Sequence, residues 1–251
     1  MRNIRMVVSY EGTRYYGFQI QPGGNTIQDE MEAALKLLTG EQMEVISSGR
    51  TDAGVHARHQ IVNVRTESPI PIGRWAMALN SRLPDDIVIL QAEEVPLDFH
   101  ARHSAKRKTY RYTINCNRQP DVFARRLQFH HPTPLNVKEM RAAMECLLGE
   151  HDFTSFCSIR STKKSHVRTL YEAYLEHREE EGLIHLVFTG NGFLQHMVRI
   201  LVGTLIQIGE GKRKSADMQR ILQGRKRSLA GPTAMAHGLM LWEVYYTEAH
   251  K

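Results

Sequence analysis

The sequence predicts an α+β fold made of two split-βαβ halves, and three observations carry the prediction. Short β-branched or aromatic runs alternate with amphipathic helical stretches; the order β-α-β-β-α-β is readable in the first hundred residues; and that order returns in the second half without repetition of the sequence itself. A chain of 251 residues, 41% hydrophobic and 24% charged, is long enough for one large domain or two ordinary ones. The boundary is expected near the end of the first pattern, giving an N-terminal α+β domain over 1–103 and a C-terminal α+β domain over 104–251.

In chain order, residues 4–10 read as a strand. Thr26 is the N-cap of a helix that places Ile27, Met31, Leu35 and Leu38 on one face, and Gly40 stops it. Strands follow at about 44–48 and 60–65. A second helix over Ile72–Leu83 would bury Ile72, Trp75, Ala76, Leu79 and Leu83, and the apolar run 87–90 supplies a fourth strand. In the second half Tyr110, Tyr112 and Ile114 alternate with Arg111 and Thr113, which predicts a strand over Lys108–Asn115. A helix from Asn136 carries Val137, Met140, Met144 and Leu147. Strands at about 168–176 and 183–190 flank the turn at 179–182, and residues 192–208 form an unusually apolar helix. A short helix near 215–222 and a strand over 238–246 complete the half. Two such halves imply sheets that face or extend each other across a cleft.

The stretch most suited to chemistry is Ser47-Ser48-Gly49-Arg50-Thr51-Asp52-Ala53-Gly54-Val55-His56-Ala57, because it sets one carboxylate in a glycine-flanked loop between two strands. On spacing alone the plainer reading is that Asp52 caps a turn through its own backbone and the glycines only serve the bend. The 33 Lys and Arg against 27 Asp and Glu leave a net charge of +6, which suits a polyanionic partner. Basic clusters at 106–108, at Lys163, Lys164 and Arg168, at 212–214 and at 225–227 could line a phosphate-contacting face or be scattered solvated charge. Three widely spaced cysteines argue against a disulfide framework and for a reducing compartment. No signal-peptide core is expected at the N-terminus and no span is long enough to cross a bilayer, which places the protein in the cytoplasm, off the membrane. The 13 histidines lack metal-ligand spacing, whether His100 with His103 or His130 with His131, so no metal and no cofactor are expected.

Gly49-Arg50-Thr51-Asp52-Ala53-Gly54-Val55-His56-Ala57 resembles the catalytic segment of the tRNA pseudouridine synthase A family. The same family is resembled by Tyr10-Glu11-Gly12-Thr13, Tyr16-Gly17-Phe18-Gln19 and Gln21-Pro22, by Phe99-His100-Ala101-Arg102 and Lys108-Thr109-Tyr110-Arg111-Tyr112, and by Phe193-Leu194 and Met197-Val198-Arg199, so the likeness spans nearly the whole chain. It implies two ferredoxin-like halves forming a broad mixed, mainly antiparallel sheet with the active site in a cleft between them. It also implies a homodimer that isomerises uridines at positions thirty-eight to forty of the tRNA anticodon stem-loop to pseudouridine. In that reading Asp52 is the essential catalytic acid, and Arg58 fills the gap left by the flipped nucleotide or contacts a phosphate. Tyr110 stacks on the uracil and takes part in proton removal, or else is a core tyrosine, and Phe18 and Gln19 shape the cleft or pack the loop. Arg199, carried inward by the apolar helix, would pair with Asp52 and keep it ionised, unless it reaches solvent or another acid. Other classes remain: a non-catalytic RNA-binding module, although the aromatic strand motif of such modules is absent, and a metal-dependent hydrolase.

Overall fold

The structure is a computed structural model that describes residues 1–247. The chain divides into two compact units, Met1–Lys106 together with the chain from Met240 on, and Arg107–Leu239. The closing stretch of the expected domain 104–251 falls in the first of these units.

In the first unit β1 (Arg2–Tyr10), α1 (Ile27–Thr39), β2 (Ile46–Ser47), β3 (His56–Thr66), α2 (Trp75–Asn80) and β4 (Ile87–Val95) follow the split-βαβ order. Strands β4, β1 and β3 are neighbours, all antiparallel, and β2 lies antiparallel on the other edge of β3. Alternate residues Ile4, Met6, Val8 and Tyr10 of β1 are buried, with Val62 and Val64 of β3. Ile27, Met31 and Leu35 of α1 and Trp75 and Leu79 of α2 complete this core. The α1 boundaries are as the sequence predicts: Thr26 and Asp29 form a reciprocal capping box, and Gly40 ends the helix in the left-handed conformation at φ 78°. The second helix is shorter than predicted. Residues 72–74 form a 3-10 turn after Pro71, and Asn80 exchanges hydrogen bonds of 2.7 and 3.0 Å with the backbone of Ile89, which ties the helix end to β4.

The second unit contains β5 (Arg107–Asn115), β6 (Phe129–His130), α3 (Val137–Glu145), β7 (Gly149–Asp152), β8 (Val167–Arg178), β9 (Leu183–Gly190), α4 (Met197–Gly209) and α5 (Ala216–Gly224). Strands β5, β9, β8 and β7 are neighbours in that order, antiparallel throughout, and β6 adds a short parallel pair to β5. The expected α+β class with a mixed, mainly antiparallel sheet is borne out. Strands β6 and β7 went unpredicted because two and four residues are too few to show alternation. Helix α4 starts at Met197 rather than Gly192, since His196 before it adopts φ 63° and breaks the helical run.

The chain then returns to the first unit as β10 (Leu239–Tyr245), where Met240 and Leu241 pair in parallel with His56 and Ala57 of β3. One edge of β3 is therefore shared, with β2 taking Val62 and Asn63 and β10 taking the start of the strand.

Candidate active site

Residues 48–55 link β2 to β3, and short contacts hold both ends of this loop. At the near end the Ser48 N–H donates to the Ile61 carbonyl at 2.7 Å, Ser48 Oγ donates to Gln60 Oε1 at 2.6 Å, and Gln60 Nε2 donates to the Gly49 carbonyl at 2.8 Å. At the far end the Val55 N–H closes a turn on the Asp52 carbonyl at 3.1 Å, and Gly54 takes φ 75°, a conformation that a Cβ would disfavour.

The segment around residues 10–18 braces the loop. The Phe18 N–H donates to the Thr51 carbonyl at 3.2 Å, and the Gly54 N–H donates to the Tyr15 carbonyl at 3.3 Å. Gly17, at φ 100°, lies so close that a Cβ there would sit 2.7 Å from the Thr51 oxygen; a Cβ at Gly12 would meet the Val55 oxygen at 2.0 Å. The Gly12 N–H donates to His56 Nδ1 at 2.9 Å, which assigns that nitrogen as the acceptor. Beneath the loop, the Tyr10 hydroxyl is 2.8 Å from Thr51 Oγ1 in a buried site, and burial pushes the phenol up to about 12. Asp52 emerges half-buried from this frame. Phe18 is 1% exposed, 6.1 Å from the Tyr10 ring, so its support of the loop is through packing and its backbone, while Gln19 beside it is exposed.

Arg58 lies on the same strand that leaves the loop. It is exposed, with its guanidinium 4.5 Å above the ring of Trp242 in β10. That shelf holds a long side chain extended and contributes about 0.5–1 kcal/mol. Trp242 had no place in the sequence reading; its position in the last strand gave no local signal, because the contact joins residues far apart in the chain.

In the second unit Tyr110 is almost buried on β5 and meets the ring of Phe193 edge-on, with centroids 5.0 Å apart at 78°. Tyr112, two residues on, is fully buried, donates its hydroxyl to the Met235 carbonyl at 3.0 Å, and is raised by burial above the usual phenol range. Arg199 is half-buried in the first turn of α4, where Nε donates to the Ala234 carbonyl at 2.8 Å and its own carbonyl accepts the Ala234 N–H at 3.0 Å. Several residues of the basic clusters serve the fold. Arg213 Nε donates to Gln207 Oε1 at 2.7 Å, Arg225 lies 3.4 Å from Asp152, Lys212 is 2.8 Å from Glu210, and Arg107 stacks 4.5 Å over Tyr171.

Among the described residues no three His, Cys, Asp or Glu side chains group as metal ligands would, and no helix is long and apolar enough to cross a membrane. The frame therefore offers one carboxylate on a braced loop, with aromatic rings and guanidinium groups as the other candidates for substrate contact.

The chain is also similar over nearly its whole length to known proteins. The sequence profile described as tRNA pseudouridine synthase matches residues 6–104 and 143–247; the stretch between, which holds Tyr110, lies outside the match. The tRNA pseudouridine synthase A of Brevibacillus brevis is 48% identical over 98% of this chain and 100% of its own length. Proteins of the same name from Bacillus subtilis and Acetivibrio thermocellus are each 45% identical, over 97% and 98% of this chain and 98% and 100% of their own. With the braced loop of Asp52 inside the matched region and the likeness running end to end, the chain belongs to the tRNA pseudouridine synthase family.

Proposed function

We propose that this chain isomerises uridines of tRNA to pseudouridine, and that its targets are the uridines at positions thirty-eight to forty of the anticodon stem-loop. The single observation that carries the reading is the loop of residues 48–55, where seven backbone and side-chain contacts hold one half-exposed carboxylate, Asp52, in place. The reaction breaks the N1–C1′ bond, turns the uracil and joins C5 to C1′. It consumes no oxidant and no group donor, so one ionised carboxylate acting at C1′ is chemically sufficient, either as nucleophile or as the stabiliser of a sugar cation.

The target base is stacked in RNA and must be turned outward. Arg58, held extended over Trp242, is the side chain assigned to the gap or to an adjacent phosphate. Tyr110 is assigned the face of the uracil and, through its hydroxyl, the proton at C5. Gln19, exposed beside the braced loop, is a substrate contact, with Phe18 supporting it from below. Arg199 is assigned as a positive group of the reaction. Replacing it by Leu should cut turnover and move the acidic limb of the pH–rate profile upward, with Lys restoring part of the loss; an unmoved limb would remove it from the chemistry. The protein is proposed to act as a homodimer, which a light-scattering mass of one chain would refute.

The decisive experiment is incubation with unmodified tRNA transcript followed by mapping of pseudouridine. Product at thirty-eight to forty is expected. Product elsewhere would keep the activity and discard the position; tRNA bound with no pseudouridine would leave an RNA-binding module.

A further inference from the structure

Away from Asp52, the first unit contains an irregular segment, residues 96–104, which holds none of the residues assigned above to the reaction and which buried polar groups hold down. Asn3 Nδ2 donates to the carbonyls of Pro96 and Phe99, both at 2.9 Å. Asn63 Nδ2 donates to Asn3 Oδ1 at 2.9 Å, and Asn63 Oδ1 accepts the Ala101 N–H at 2.9 Å. Both asparagines are buried inside strands β1 and β3. From β10, the chain continues to Tyr246, whose hydroxyl donates to the Ala101 carbonyl at 2.6 Å and whose ring is 5.0 Å from that of Phe99. Buried amides are costly unless satisfied, and here the backbone of the segment satisfies them. The segment is ordered before any partner arrives, which lowers the entropy cost of binding.

What this pedestal presents is positive. Arg102 and His103 are exposed, and the rings of His100 and His103 lie 4.2 Å apart. His100 Nδ1 accepts the N–H groups of Arg102 and His103 at 3.2 and 3.3 Å, so in the neutral ring the proton sits on Nε2, where it can be donated. Arg65, exposed on β3, is drawn to the same place by a 3.2 Å bond from Nη2 to the Leu97 carbonyl. The imidazole of His100 titrates below its usual value, through burial first and then through its neighbours His103, Arg102 and Arg65. The guanidinium groups of Arg65 and Arg102 thus outnumber the one carboxylate of the segment, Asp98.

We propose that Arg65, His100, Arg102 and His103 form a docking site for phosphates of the RNA backbone, remote from the reacting nucleotide. Guanidinium forks and an imidazole N–H suit phosphate oxygens, and a preorganised positive surface positions a nucleic acid without reading its bases. The assignment rests on tRNA being the substrate.

The test is the salt dependence of tRNA binding by Arg65→Gln, Arg102→Gln and the double variant. Each lost phosphate contact should lower the slope of log affinity against log salt by about 0.7–0.9, and the double variant by the sum. Lys36→Gln, which removes the same charge from the exposed side of α1, should leave the slope in place. A double variant with the wild-type slope, or a Lys36→Gln variant with an equal loss, would overturn the site. Pseudouridine formation by the wild type, assayed alongside, separates the two readings. Reduced slopes without product would sink the isomerase and keep the docking site, whereas product with unchanged slopes would do the reverse.

Discussion

At Asp52 the chemistry requires a carboxylate that is aimed and reachable, and its neighbours divide those tasks. Tyr10 and Phe18 hold Thr51 on one side, and the turn closed by Val55 holds the other. In the role proposed for it, this carboxylate acts on the ribose and contributes little to phosphate binding, so Asp52→Ala should lower turnover by about 10³-fold or more while tRNA affinity stays within a few-fold. Single-turnover rates with a parallel binding titration check both halves; retained turnover would remove Asp52 from the reaction. Tyr110→Phe keeps the ring against Phe193 and deletes the hydroxyl, so rate should fall by about 10²–10⁴-fold with little change in affinity. Wild-type rates would return Tyr110 to the core. The Asp52 loop was legible in the sequence because glycines bracket the acid within a few residues. Its braces were not, because Tyr10 and Thr51 are 41 positions apart and a hydroxyl pair leaves no periodic trace. For the basic clusters, local composition could not show that Arg213 and Arg225 are engaged by Gln207 and Asp152.

Among the elements, α4 is the most telling. Its apolarity predicted burial, but not the strap of residues 231–234 that runs along it. The Gly231 N–H donates to Thr204 Oγ1 at 2.9 Å, Arg199 and Ala234 exchange two bonds, and a Cβ at Gly203 would lie 1.9 Å from the Pro232 oxygen. Gly203 is thus the close-approach point of strap and helix. Alanine there gains up to about 1 kcal/mol of helix propensity and meets backbone, an overpacking cost of about 1–3 kcal/mol or more, so Gly203→Ala should lower stability. By the role proposed for Arg199, one turn away on the same face, it should also lower activity. Urea midpoints and turnover measure the two effects, and an unchanged midpoint would show that the strap yields freely. Element ends were legible where a cap exists, as at Thr26 and Gly40. They were not where Pro71 diverts a periodic run into a 3-10 turn, or where His196 delays a helix.

For the molecule as a whole, acid should be the weak point. His100, His131, His185 and His237 all titrate below the usual imidazole value, and burial is the leading cause for each. The unfolded chain therefore binds more protons below its unfolded histidine value of about 6.5, so stability is complete above that pH and declines as pH falls through the lower folded values. Asp217, lowered first by its bond from Arg220, adds a second loss at more acidic pH by the same sign. Thermal melts should be level from about pH 8 to 7 and fall towards pH 5; a level melting temperature down to pH 5 would contradict the assignment. The parallel pairing of β10 with β3 has a further bearing, on the order of events during translation. The ribosome delivers β3 early and β10 only after the entire second unit, so the nascent first unit waits with His56 and Ala57, the residues just after the Asp52 loop, lacking their partners on β10. Synthesis of the Asp52 loop and of the strand beside its exit are thereby separated in time, and a chain interrupted before Met240 would have every residue of that loop but not the strand that pairs with the start of β3.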